Sequence, residues 1–176
     1  MQKLKLFILL AIIMVSFNSF AQPINAAIND PVRNREVLVD LLDRNGLASG
    51  EMGEFFTIDY EAYQPDTAVI DALKPLLEDI HITIVLGTWC GDSKEQLPRF
   101  MKVLDLTGFN QENLLMIGVD SHKKAREIDV DVFAIEKVPT FIFTRNEREL
   151  GRIIETPLDN LEKDLLVILN NAESDD

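Results

Sequence analysis

The chain has 176 residues, of which 47% are hydrophobic and 27% charged, and its formal net charge is −13. That length and balance suit one globular domain with an ordinary core. So large an acidic excess repels phosphate backbones and anionic lipid surfaces, which argues against nucleic acid as a partner.

Residues 1–21 have the make-up of a secretory signal. Lys3 and Lys5 form a basic start, Leu6 to Val15 an uninterrupted apolar run, and Ser19-Phe20-Ala21 a small-x-small cleavage site. The apolar run falls short of the about 20 residues a spanning helix needs. Cleavage is therefore expected after Ala21, with no membrane association afterwards, and no cysteine follows the site to carry a lipid. Two lysines and no acid leave with this segment, which takes the formal charge from −13 to −15. The expected location is exported, periplasmic or secreted, where the compartment is oxidising.

Residues 22–65 read as an N-terminal extension of linker, short helix and arm. Gln22 to Pro31 is a lead-in between prolines. Val37, Leu38, Leu41 and Leu42 form a stripe that predicts a helix between Asn34 and Arg44, stopped by Asn45-Gly46. Gly46 to Gly53 reads as a loop. Phe56, Ile58, Tyr60 and Ala62 alternate, which predicts a strand or extended arm over Phe55–Tyr63, with Tyr60 and Tyr63 as packing residues rather than a substrate-stacking pair.

The main domain is read over residues 66–170, with an acidic tail at 171–176. Asp66 caps a helix that buries Val69, Ile70, Leu73, Leu76 and Leu77 and is shortened by Pro75. His81 to Leu86 is apolar on both faces, as a central strand should be. After Gly87 comes Cys90, the only cysteine, and then a helical stripe of Leu97, Phe100, Met101 and Leu104 that stops near Gly108. Cys90 thus falls where a strand turns into a helix, and free N–H groups and the dipole favour an anion there. Such positions lower a cysteine pKa from about 8.5 to about 3.5–7.5. Leu114 to Asp120 is a second buried strand, Ser121 to Val132 a polar stretch expected to hold a helix before Ile135, and Thr140 to Phe143 a third strand. Arg145 to Arg148 turns the chain into Leu150–Ile154. A closing helix follows Pro157, with Leu158, Leu161, Leu165, Ile168 and Leu169 on its face.

Trp89-Cys90-Gly91-Asp92-Ser93-Lys94, with Pro98 inside the helix and Val138-Pro139-Thr140 farther on, resembles the thioredoxin family. The resemblance covers Val69 to Leu169. It implies an α/β thioredoxin-like fold, a central mixed sheet flanked by helices, with the residue 22–65 extension outside the common core. It also implies that Cys90 is the attacking thiol, with Trp89, Gly91, Asp92 and Ser93 around it. Val138, Pro139 and Thr140 would form a cis-proline segment that binds a client strand by backbone pairing. Two departures stand out. Ser93 occupies the place of the family's second cysteine, and Ile84 the place of its buried acid.

Cys90 can attack a disulfide, but Ser93 cannot resolve the product. Turnover therefore needs an external thiol or a partner reductase. The Ser93 hydroxyl is expected to donate to the Cys90 thiolate. Two functions stay open: monothiol thiol–disulfide exchange, of reductase or isomerase type, on a client protein's disulfide or thiol, and a peptide- or protein-binding module that has lost catalysis. A lone thiol also permits a Cys90-linked dimer. No cofactor is implied, and no metal: His81, Asp120 and His122 lack a recognised ligand spacing.

Overall fold

The structure, a computed structural model, describes residues 23–174. The expected signal segment and the last two residues lie outside it. A six-stranded sheet forms the centre. Its strands in chain order are β1 (Ala26–Asn29), β2 (Glu36–Leu42), β3 (His81–Leu86), β4 (Leu114–Gly118), β5 (Thr140–Arg145) and β6 (Arg148–Ile154). Across the sheet they run β1-β2-β4-β3-β5-β6. β3 and β4 are parallel and the other pairings antiparallel. The mixed sheet flanked by helices is the fold class expected from the sequence.

The helices are α1 (Arg44–Leu47), α2 (Gly50–Ala62), α3 (Thr67–Leu73), α4 (Gly91–Thr107) and α5 (Leu161–Ser174). One core joins them to the sheet. Ile82, Ile84 and Leu86 of β3 and Phe141 and Phe143 of β5 meet Leu97, Phe100 and Leu104 of α4 and Leu161, Leu165 and Leu169 of α5. The Phe100 ring lies 4.8 Å from that of Phe141, a tilted pair. The opposite face holds a smaller cluster of Val85, Ile117, Val119, Val130 and Val138. No long helix among the described residues covers it. The polar stretch expected to be helical before Ile135 is an irregular loop with one 3₁₀ turn at Asp131–Phe133.

The N-terminal region departs most from expectation. The stripe of residues 34–44 is strand β2, not a helix, because β4 and β1 supply hydrogen-bonding partners on both of its edges. Its alternation is disguised at Asp40, which has φ +63°. Val37 and Val39 are buried before that kink, and Leu42 after it. The loop expected over Gly46–Gly53 contains the end of α1 and the start of α2. The expected arm is helical: Met52, Phe56 and Tyr60, four apart, pack on the core, whereas Ile58 is 66% exposed. Tyr60 stacks on Phe56 and donates to Asp105, and Tyr63 donates to Glu162, so both tyrosines do pack. These elements belong to the common sheet and core rather than standing outside them. β2 comes so close to β4 that a Cβ on Gly118 would lie 2.5 Å from the Leu38 carbonyl oxygen.

Other expectations divide. Asp66 caps α3 through the Ala68 and Val69 N–H groups, and Pro75 falls where α3 gives way to a 3₁₀ turn, Lys74–Leu77. Leu158 does not join the closing helix. It is fully exposed in the loop before α5, because the carboxylate of Asp164 binds the Leu158 and Asp159 N–H groups and turns the chain there. The tail expected from residue 171 is helical to Ser174 and buries Ala172.

Candidate functional site

The central strand β3 ends at Leu86, and the next four residues turn the chain into α4. The Cys90 N–H donates to the Gly87 carbonyl at 2.9 Å, and the Cys90 carbonyl accepts the first helical bond of α4 from Lys94 at 3.1 Å. Cys90 is therefore the N-cap residue of α4, with extended backbone angles (φ −86°, ψ 131°). At its far end α4 closes on Gly108 in the left-handed region, as its place in the sequence implies.

The thiol is half-buried. Its Sγ lies 3.2 Å from the carbonyl oxygen of Val138. The Val138–Pro139 peptide bond is cis. Thr140, fully buried, begins β5, and its hydroxyl donates to the Lys137 carbonyl at 2.7 Å. The fold thus brings Val138, Pro139 and Thr140 up to Cys90, across 48 residues of sequence. The Val138 N–H has no hydrogen-bond partner among the described residues.

Trp89 is half-buried against the same cluster as Cys90, and its indole N–H donates to the Val119 carbonyl at 2.9 Å. Its ring lies on Gly87, where a Cβ would stand 2.6 Å from it. Gly91 is exposed and Asp92 half-buried in the first turn of α4. Ser93 behaves otherwise than expected. It is fully buried, its oxygen accepts from the Gly87 N–H at 3.3 Å, and no hydrogen bond joins it to the thiol among the described residues. That bond ties the first turn of α4 to the end of β3. Ile84 is fully buried on the helix side of the sheet, so its position supplies no proton acceptor beneath the site.

Several residues of the site had not been singled out in the sequence. The loop between β1 and β2 reaches over Trp89. The Arg33 guanidinium stacks 4.6 Å above the indole, and Arg35 Nη2 donates to the Trp89 carbonyl at 3.2 Å. Three buried aspartates hold these walls. Asp30 accepts from the Val32 and Arg33 N–H groups and from both the N–H and the hydroxyl of Ser121. Asp40 gathers the N–H groups of Arg126, Glu127 and Ile128 on one oxygen, at 2.7–3.2 Å. Asp120 accepts from the His122 and Lys124 N–H groups and pairs with Arg126. Each carboxylate sits inside its own turn of backbone donors, which is how a buried acid avoids an uncompensated charge. An acid inside the apolar run 37–42 was the one signal of this in the sequence.

His81 and His122 are exposed, and Asp120 is occupied by its own loop. No group of three His, Cys, Asp or Glu residues that could hold a metal exists among the described residues. A cleft of about 440 Å³ adjoins the site between Trp89, Thr88, Arg35, Leu38 and Met52.

With the geometry in view, the chain can be set beside known proteins. No family model matches it. It is 27% identical over 88 residues to Thioredoxin H2-1 of Oryza sativa subsp. japonica, a match covering 50% of this chain. The match covers 59% of that relative, less than two thirds of its length. Among solved structures it is similar to a Pseudomonas aeruginosa protein of unknown function, with 18% identity and a TM-score of 0.43 over 70% of this chain and 78% of that one. Another is the germline-specific thioredoxin Deadhead of Drosophila melanogaster, with 18% identity and a TM-score of 0.38 over 57% and 88% of the two chains.

The hydrogen bonds on Asp30 have a pH signature. Burial raises its pKa, but the donors from Arg33, Ser121 and Val32 outweigh burial and hold it at about 2, below the ordinary 3.8. A depressed carboxylate pKa stabilises the fold above the unfolded-state value, and that stabilisation is lost as pH falls through the folded one. Urea unfolding should therefore show the midpoint dropping between about pH 4 and pH 2. In Asp30→Asn the unfolding free energy should be lower by about 1–3 kcal/mol at neutral pH, and the midpoint should vary less over that window. Equal slopes in the two proteins would remove Asp30 from this role.

Proposed function

We propose that the chain is a thioredoxin-like protein performing thiol–disulfide exchange with one thiol. The observation that carries this reading is the meeting at Cys90: a half-exposed sulfur at the N-cap of a long helix, against the carbonyl of Val138 and beside Pro139. In the exchange, the Cys90 thiolate forms a bond to one client sulfur and the other client sulfur leaves as a thiolate. A second thiol must then break the Cys90 mixed disulfide. If a different thiol of the same client does so, a new client disulfide forms, Cys90 leaves as a thiolate, and the outcome is isomerisation. If external thiols do so, two of them supply the two electrons and the client is reduced. The free Val138 N–H gives a client strand a backbone donor next to the sulfur under attack. A non-catalytic binding module is the second reading, favoured by Ser93 and Ile84, which leave no resolving thiol and no proton acceptor.

Reduction of a small disulfide-containing protein by glutathione separates the two. The native chain should accelerate it and Cys90→Ser should fall back to the rate of glutathione alone. Ser93→Cys should carry out one round with no added thiol. Indistinguishable native and Cys90→Ser rates would leave only the binding module.

We further propose export, with cleavage after Ala21, supported by the basic start, apolar run and Ser19-Phe20-Ala21. Among the described residues no helix is long and apolar enough to cross a membrane. N-terminal sequencing of the protein recovered outside the cytoplasm should begin at Gln22; Met1 there would contradict cleavage.

A further inference from the structure

The chain carries 30 acidic and 17 basic residues, so a cation without an acid needs a reason. Arg44, Arg99, Arg126 and Arg152 each pair with a carboxylate. Arg33 is exposed, and no carboxylate among the described residues pairs with it. Its guanidinium is nevertheless held in place. Nε donates to Ser121 Oγ at 3.2 Å, and Ser121 is itself fixed on Asp30 by two bonds. The Asp30 carboxylate is bound by its backbone donors and Ser121 and reaches the Arg33 guanidinium only through Ser121. The guanidinium face stacks on Trp89, the neighbour of Cys90. A stacked, orientated guanidinium keeps its terminal N–H groups for a planar, two-oxygen acceptor such as a carboxylate.

We propose that Arg33 is a specificity-determining residue of this site, binding the carboxylate of a small anionic thiol that resolves the Cys90 mixed disulfide. The proposal rests on the exchange reading above. The incoming thiolate forms a bond to Cys90 Sγ and the group already on Cys90 leaves with the electron pair. A second thiolate then takes the first, releasing Cys90 as a thiolate and the small thiol as its disulfide. No other oxidant or reductant enters.

The test begins with 2,2′-dithiodipyridine, which converts Cys90 to a mixed disulfide with an uncharged leaving group. Release of thiopyridone is then timed with 3-mercaptopropionate and with cysteamine, an anionic and a cationic thiol. Taking the ratio of the two rates in each protein, and comparing proteins, cancels the intrinsic reactivity of the thiols. The ratio should fall about three- to fivefold in Arg33→Gln and further in Arg33→Glu, while Arg33→Lys keeps most of it. Added salt should shrink the difference between native and variant. An unchanged ratio across the variants overturns the proposal. So does a preference seen only with a cysteine peptide flanked by acids, which would assign Arg33 to clients instead. Failure of dithiodipyridine to modify the folded protein would sink the exchange reading, and binding alone then tests Arg33. Trp89 is the chain's single tryptophan, so its emission can be titrated with S-methylglutathione in Cys90→Ser. A saturable change weakened threefold or more by Arg33→Gln supports the carboxylate site; no change in the parent refutes it.

Discussion

The site depends on charge buried under loops. Asp30, Asp40 and Asp120 are all at most 2% exposed, and none sits in a hydrophobic wall without donors. Each draws several backbone N–H groups onto one carboxylate. A hydrogen bond to a charged group contributes about 1.5–3 kcal/mol, and a buried acid stripped of its donors costs at least as much. The loops therefore cannot relax without exposing or stranding an acid. Asp40 lies on β2 yet grips residues 126–128, and Asp30 grips Ser121 from the opposite side. Together they press Ala125, Ile128 and Phe133 onto the cluster that also takes Trp89 and Cys90. A face left without a long helix is closed in this way.

Against those walls the thiol has a fixed seat. The Gly87 carbonyl and the first turn of α4 set its backbone, the Val138 carbonyl sets its sulfur, and Trp89 closes one side. Ser93 shows how the one-thiol design is integrated. Its side chain is fully buried and accepts from Gly87, so the position secures the strand-to-helix turn instead of serving a second sulfur. Ile84, lying among core residues, is consistent with the same economy: with no second thiol there is no proton to move at that depth.

The part of the chain from Asp66 onward was largely legible because its elements are locally consistent. Asp66 caps, Gly108 stops a helix, His81 to Leu86 is apolar on both faces, and the hairpin turns at Asn146-Glu147. The N-terminal part was not, for physical reasons. Val37, Leu38, Leu41 and Leu42 fit a helical stripe and a kinked strand equally well, and only pairing with β4 and β1 decides between them. Met52, Phe56 and Tyr60 carry the helical spacing in a segment whose Phe56, Ile58, Tyr60 and Ala62 also alternate. At the site, Trp89, Cys90 and Val138 were visible as a motif. Arg33, Arg35, Asp30 and Asp40 were not, because a segment distant in sequence brings them there, whereas Asp120 was already visible at the end of its strand.

The central claim is that the folded chain offers Cys90 for exchange. Intact-mass measurement after incubation of the native protein with oxidised glutathione tests it most directly. The account predicts a single glutathione adduct on Cys90, formed without denaturant and removed by a reduced peptide thiol. An adduct that appears only after unfolding in urea would contradict it, since Cys90 would then be a buried packing residue.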